Sequence, residues 1–357
     1  MWRALWVLWL LLVHAGTAHS ARRPAGGGSI FGGAAAAAPP RVPRAPAALR
    51  ALLGSSLQVG RDDLEELRGP LPYPLSAIGL LVFGAAAGAD PARDLSICTG
   101  FMVSADTVLT AAHCLYHVPN EAAPERPKGY RPIIGFLPSY SRSARGTPIA
   151  PLGMVAASWS RVAPEWEAAA GEGVYYWRGD VGVVRLAKQV GSKTGWFGLA
   201  HGCDVAGALL GAAAKERGAG AAAAAASAAA AASVAGFPGA SGVAAGRGKL
   251  AFPLMGDQRC SLSTAGLCPA DASDPDRMAG MLHHHCDTGK GMSGSPLWLQ
   301  AGGAGEALAS AGGAAAAVVG VVSRSMGTCP DGPDCSNLAA PMDDRALSLV
   351  RDWIRLP

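Results

Sequence analysis

The chain has 357 residues, 50% of them apolar but only 6% aromatic and 16% charged, because alanine and glycine inflate the apolar share. It exceeds one small domain and holds enough apolar residues for two modest cores. A net charge of +4, from 30 basic and 26 acidic residues without a basic block, argues against a nucleic-acid partner.

Arg3 precedes an apolar run over residues 4–13, followed by small residues around Gly16, Ala18 and Ser20. A short apolar core behind a positive charge reads as a secretory signal peptide over residues 1–20, with Ala18 and Ser20 both fitting the cleavage rule. The run is short for a bilayer span, so no stable membrane insertion is expected after cleavage. The eight cysteines then meet an oxidising compartment, where disulfides are expected rather than metal thiolates.

Residues 21–71 are rich in Gly, Ala, Pro and Arg and supply no packed core, so they read as a low-complexity leader or propeptide. Arg44, Arg50 and Arg68 are its candidate processing points. Residues 78–83, 99–103, 107–111, 133–137 and 181–186 are apolar segments of strand length separated by turn residues. Many short strands with Gly/Pro punctuation predict an all-β barrel or sandwich. An alanine-rich tract, 211–232, has no apolar stripe to dock and reads as an inserted surface loop. Residues 301–317 read as an expanded hairpin loop between strands 296–299 and 318–322. Leu347, Val350 and Ile354 recur at helical spacing after the capping candidates Asp343 and Asp344, which predicts a C-terminal helix over 343–355.

Three segments far apart in sequence hold the side chains of an acyl-transfer site. They are Leu109-Thr110-Ala111-Ala112-His113-Cys114, Gly179-Asp180-Val181-Gly182, and Gly291-Met292-Ser293-Gly294-Ser295-Pro296. A serine hydroxyl is a poor nucleophile until an imidazole takes its proton. A carboxylate on the far ring nitrogen holds the imidazole in the correct tautomer. Glycines on both sides of Ser293 keep side chains away from an approaching carbonyl, and the N–H groups of Gly291 and Ser293 are the candidate oxyanion hole. Alone, each segment has a structural explanation; their joint presence in this order changes the odds.

These segments resemble the chymotrypsin-like serine proteases, whose chain order is also His, Asp, Ser, and within them the secreted glutamyl endopeptidase branch. Tyr73-Pro74-Leu75-Ser76-Ala77-Ile78-Gly79, Cys98-Thr99-Gly100-Phe101-Met102-Val103, Trp196-Phe197-Gly198, Gly236-Phe237-Pro238-Gly239 and Asp287-Thr288 carry further likeness. The resemblance implies two antiparallel six-stranded β-barrels with a C-terminal helix: a protease domain over 72–357, with barrels at about 72–190 and 191–342. It implies His113 as general base, Asp180 as its orienting carboxylate, Ser293 as nucleophile, and Ser323 as a hydrogen-bond donor to that carboxylate. Met292 stands where trypsin-type zymogens carry an aspartate that pairs with a freed N-terminus, so switching of that kind is not expected.

The same resemblance implies a Cys98–Cys114 disulfide, and we expect Cys286–Cys329 as a second pair across the pocket walls. Cys203, Cys260, Cys268 and Cys335 are left with three connectivities. His283-His284-His285-Cys286 invites a zinc reading, but consecutive strand residues point to opposite faces and rarely converge on one metal. No metal and no cofactor is therefore expected. The resemblance puts Asp287, Thr288 and Ser323 at the substrate pocket, where Asp287 implies cleavage after basic residues and Thr288 in an Asp-Thr pair implies an acidic preference. The branch usually adds a histidine on the opposite wall, where this chain has Val322, Ser323 and Arg324; Arg324 supplies positive charge there if it points inward, and is otherwise a solvated arginine.

The leading expectation is a secreted, monomeric serine endopeptidase acting on protein or peptide substrates. The rival is a catalytically inactive protease-fold binding protein; a metal-binding module centred on residues 283–286 is weaker.

Overall fold

The computed structural model describes residues 63–84, 96–118, 128–169, 177–206, 229–239, 252–263, 280–300, 316–325 and 336–357. The expected signal peptide and most of the expected leader lie outside them, as do Cys268, Cys329 and Cys335.

The described chain begins with a strand, β1 (Glu65–Leu67). It falls inside the stretch expected as leader and pairs with the strand Leu254–Ser263 of the second sheet. The first sheet follows in β2 (Ile78–Phe83), β3 (Ser96–Met102) and β4 (Thr107–Thr110), then a one-turn helix α1 (Ala112–Leu115). Two short strands, β5 (Tyr116–His117) and β6 (Gly129–Tyr130), pair with each other before β7 (Ile133–Pro138). A small hairpin of β8 (Ser141–Arg142) and β9 (Pro148–Ile149) leads to β10 (Ala157–Val162), helix α2 (Pro164–Ala169) and β11 (Gly182–Leu186).

The sheet order is β10-β11-β4-β3-β2-β7, every pair antiparallel. A Phe136–Val155 bridge joins its two ends, so the six strands curl into the first barrel. All six residues of β2 are buried, because one face of the strand fills the barrel and the other meets the chain packed outside.

Helix α3 (Gly191–Thr194) and β12 (Gly198–Leu199) cross to the second sheet. Its strands are β13 (Ala229–Gly236), β14 (Leu254–Ser263), β15 (Leu282–His284), β16 (Pro296–Gln300), β17 (Ala316–Ser325) and β18 (Asn337–Pro341). They run β14-β13-β16-β17-β18-β15, and the β14–β15 pairing closes the ring at Leu262 and His284. The eight-stranded sheet is thus a six-stranded barrel with two additions: β1 on the free end of β14's edge and β12 on that of β17. The alanine tract ends differently from expectation. Its last residues, 229–232, are strand, paired through Ala232 to Cys260 and Leu299, and a small side chain suits the close packing there.

The chain ends in helix α4 (Asp344–Arg355). Asp343 caps it, its carboxylate accepting the N–H of Ala346 at 2.9 Å, and a second oxygen takes Arg178 at 2.7 Å. At the other end Arg185 of β11 donates to the carbonyls of Ile354 and Leu356, where cations are favoured. Ala346, Leu347, Val350 and Trp353 pack into the first apolar cluster, so the helix straps onto the body through one face.

The disulfide framework departs from expectation at one pair. Cys98 is joined to Cys114, and Cys286 to Cys260 rather than Cys329. The Leu262–His284 pairing sets an antiparallel register in which Cys260 stands opposite Cys286, with Cα atoms 4.6 Å apart. Cys203 is also disulfide-bonded.

The three adjacent histidines take opposite faces: His283 and His285 are exposed and His284 is wholly buried. His283 Nδ1 meets the hydroxyl of Ser336 at 2.8 Å. Both ring nitrogens of His284 lack a partner among the described residues, and burial, reinforced by His285 and His283, pushes its pKa down to about 3. The ring is therefore neutral in the fold. The unfolded chain binds a proton below about pH 6.5 that the folded chain refuses until about pH 3, so stability is lost as pH falls through that window. The expected loss attributable to His284 is about 1.4 kcal/mol per pH unit. Urea unfolding of the protein and of His284→Leu from pH 7 to pH 4 checks this; equal slopes in both would remove His284 from the acid response.

Candidate active site

Thr107-Val108-Leu109-Thr110 favours strand by its β-branched content, and Ala111-Ala112 breaks the pattern. The chain therefore leaves β4 and turns once in α1, which carries His113. Antiparallel pairing of β11 with β4, Gly182 to Thr110 and Val183 to Leu109, brings Asp180 level with the start of α1. Asp180 leaves the 3-10 turn Trp177–Gly179, its own N–H bonded to the Trp177 carbonyl at 3.0 Å. Sequence neighbours on two strands thus become neighbours in space, although 67 positions separate His113 and Asp180.

The Asp180 carboxylate is fully buried and accepts three hydrogen bonds. Oδ1 takes the main-chain N–H of His113 at 2.8 Å, Oδ2 takes His113 Nδ1 at 2.7 Å, and the hydroxyl of Ser323 also donates to Oδ2. Isolated burial of a carboxylate costs several kcal/mol, which this charge-assisted set offsets. A carboxylate only accepts, so Nδ1 carries the ring proton and Nε2 the lone pair. The His113 ring is 29% exposed. Trp166 flanks it, with ring centroids 6.4 Å apart.

Ser293 is placed from both barrels. Thr99 of β3 donates its N–H to the Ser293 carbonyl at 2.9 Å, and Cys114 Sγ lies 3.8 Å from the same oxygen. Ser293 therefore sits against the residue that follows His113. From the second barrel, Gly294 N–H donates to the Val322 carbonyl at 2.8 Å and Val322 N–H to the Ser295 carbonyl at 2.9 Å. Met292 is buried among the second cluster of apolar residues, and its sulfur accepts the Gly289 N–H at 3.2 Å. The N–H groups of Met292, Gly294 and Ser295 bond to the carbonyls of Gly289, Val322 and Met292. Among the described residues no backbone carbonyl takes the N–H of Gly291 or Ser293. Gly291, at φ +101°, holds the left-handed turn that presents them.

The expected pocket residues separate. Thr288 is buried beside Asp287, while Ser323 turns toward Asp180. Asp287 is only 2% exposed; its carboxylate accepts the N–H of Asp63 at 2.7 Å, and its own N–H donates to Asp257. Arg324 is exposed and lies over the Trp177 ring, 4.6 Å from its centroid, rather than inside the barrel. Sequence reasoning did not single out Trp166, Trp177 or Asp63. Trp177, three positions before Asp180, was the available signal; Asp63 carried none, since a main-chain N–H leaves no trace in composition.

The seam between β3 and the serine loop is tight. A Cβ on Gly294, at φ +83°, would lie 2.1 Å from Thr110 Oγ1 and 2.2 Å from the Thr99 carbonyl oxygen. Gly294→Ala is expected to lose about 3 kcal/mol or more, combining overpacking with the left-handed penalty. Gly153→Ala, also at positive φ but with nothing within 4 Å, should lose only about 1–2 kcal/mol. Urea midpoints read both; equal losses would mean the seam yields freely.

A family model of the trypsin-like peptidase domain matches residues 98–304. A Glu endopeptidase solved in complex with MPD aligns with a TM-score of 0.51 at 15% identity, covering 84% of this chain and 99% of its own. The VesB protease of Vibrio cholerae aligns with a TM-score of 0.41 at 16% identity, over 82% of this chain and 66% of its own. No curated protein sequence matches. The first alignment bears out the all-β, two-barrel chymotrypsin-like fold expected from the motifs. With more than half of its residues matched, the chain belongs to the trypsin-like peptidase domain family.

Proposed function

We propose that the protein is a serine endopeptidase that hydrolyses peptide bonds through an acyl-enzyme on Ser293. The observation that carries this reading is the buried Asp180–His113 pair, whose geometry leaves Nε2 as the free base beside the serine loop. His113 takes the Ser293 hydroxyl proton as Oγ attacks the substrate carbonyl carbon. The oxyanion of the tetrahedral adduct receives the N–H groups of Gly291 and Ser293. Collapse breaks the C–N bond, and the imidazolium returns its proton to the leaving amine. Water, deprotonated by His113, then attacks the ester and regenerates Ser293. Asp180 stays ionised throughout and stabilises the imidazolium; Ser323 holds the carboxylate in place.

Asp287 is buried and bonded to the Asp63 N–H, which disfavours its use as an open carboxylate for a substrate Lys or Arg. A pocket for non-basic side chains, with Thr288 in its wall, follows. The disulfides Cys98–Cys114 and Cys260–Cys286 fit an oxidising compartment and hence secretion. Among the described residues no helix is long and apolar enough to cross a membrane.

A fluorophosphonate probe tests the reading on the full chain. Peptide mapping should place the adduct on Ser293, and His113→Ala should abolish labelling. Asp180→Asn should slow peptide cleavage about 10⁴-fold, because the amide favours the wrong tautomer. Folded protein that takes no label would overturn the enzyme and leave a binding protein on the same fold.

A further inference from the structure

We propose that Glu167, with the phenol rings of Tyr116 and Tyr130 beside it, is a subsite on the first barrel for a lysine or arginine side chain of the substrate. The inference rests on the peptidase reading and adds to it a second determinant of sequence preference, separate from the pocket of Asp287 and Thr288.

Tyr116 directly follows α1 and so stands about one helical turn from His113. It lies opposite Tyr130 in the β5–β6 pairing, so the two side chains share a face. Their rings meet edge to face, with centroids 5.0 Å apart. The Tyr130 hydroxyl donates to Oε1 of Glu167, on α2. Trp166, the residue before Glu167, ties this group back to the base: its indole N–H donates to the Tyr116 carbonyl at 3.4 Å, and its ring lies 6.4 Å from the His113 imidazole. The Ser293 carbonyl lies against Cys114, two residues before Tyr116. A substrate strand rises about 3.3 Å per residue, so the two phenols lie within about three residues of the scissile bond.

The charges around Glu167 identify a cation as its partner. Among the described residues no Lys, Arg or His nitrogen lies within 4.0 Å of its carboxylate. Glu165, on the same helix, is by contrast neutralised by Arg345 at 2.6 Å. Arg131, next to Tyr130, turns elsewhere: its guanidinium lies 4.4 Å from the Phe83 ring centroid and donates to the Cys114 carbonyl at 3.1 Å. Burial and the nearby Glu167 carboxylate raise the pKa of both phenols above the usual tyrosine value, so the rings stay neutral and the negative charge stays on Glu167. Among the described residues only Oε1 accepts a hydrogen bond, which leaves Oε2 for a ligand. Tyr130 is 46% exposed, so the aromatic surface beside that oxygen is open to solvent. Aromatic faces attract an ammonium or guanidinium and shelter its methylene stem, and a free carboxylate oxygen completes a charge-assisted hydrogen bond.

The test uses fluorogenic peptides that carry Lys, Gln or Glu in turn at each position near the scissile bond. The residue immediately before that bond is held constant, so the primary pocket does not enter the comparison. The expected result is one position at which Lys exceeds Gln in kcat/KM by about fivefold, mainly through KM, with the ratio falling as salt rises. Glu167→Gln should bring that ratio to about one, and Glu167→Lys should favour Glu at the same position. A carboxylate that only braces Tyr130 would instead lower turnover of all three peptides together and leave the ratio in place. That outcome, or a wild-type ratio of one at every position, with Ser293 still labelled by the probe, overturns the subsite alone. If the wild-type chain takes no label, the peptidase reading has failed, and binding of the Lys and Gln peptides is compared by anisotropy. Selective binding of Lys that Glu167→Gln removes then supports the subsite; equal binding overturns it.

Discussion

The site depends on the close approach of β3 to the loop that carries Ser293, and Thr99 makes that approach specific. Each of its polar atoms is used: N–H to the Ser293 carbonyl, carbonyl from the Thr110 hydroxyl, and hydroxyl from the Phe237 N–H. Thr99 is fully buried, so any bond lost would leave a desolvated group in the interior. The seam leaves no room for a side chain at Gly294, which fixes the distance between the barrels. His113 and Ser293 come from different barrels, and their relation is only as accurate as this contact. The Cys98–Cys114 disulfide ties β3 to the helix of His113, adding covalent restraint on the same side.

Asp180 imposes the second constraint. A carboxylate held in the interior requires donors, and the fold supplies them from the main chain of His113, its ring and Ser323. The orientation of the His113 ring is thereby a consequence of satisfying a buried charge. Ser323 comes from β17 of the second barrel, so the surroundings of the Asp180 carboxylate are completed from across the same interface that positions Ser293.

Much of this was legible because it is local. Strands β2, β7 and β11 follow apolar runs with turn residues at their ends, and the terminal helix follows a spaced apolar stripe behind Asp343. The segments of His113, Asp180 and Ser293 stood out because each pairs a reactive residue type with small neighbours. What escaped was set by register and by main-chain atoms. Cys286 finds Cys260 because β14 and β15 close the second barrel, a pairing no spacing encodes. Residues 229–232 are strand because β14 and β16 flank them, although an alanine run favours helix. Asp63 and β1 looked like leader because three strand residues have no pattern of their own.

Those last residues bear on how the loop of Ser293 is held. Where an aspartate before Ser293 would need a charged partner, Met292 needs only the apolar interior that already surrounds it. Its burial and the Gly289 N–H on its sulfur anchor the turn from below while Thr99 anchors it from above. The N-terminal side contributes by another route: β1 pairs with β14 and delivers the Asp63 N–H to Asp287, six positions before Ser293. A peptide N–H donates equally well within a continuous chain, so this contact asks for no freed α-amino group. The loop's geometry is thus set by packing and main-chain bonding, with the buried Met292 and the Asp63–Asp287 contact as its two supports.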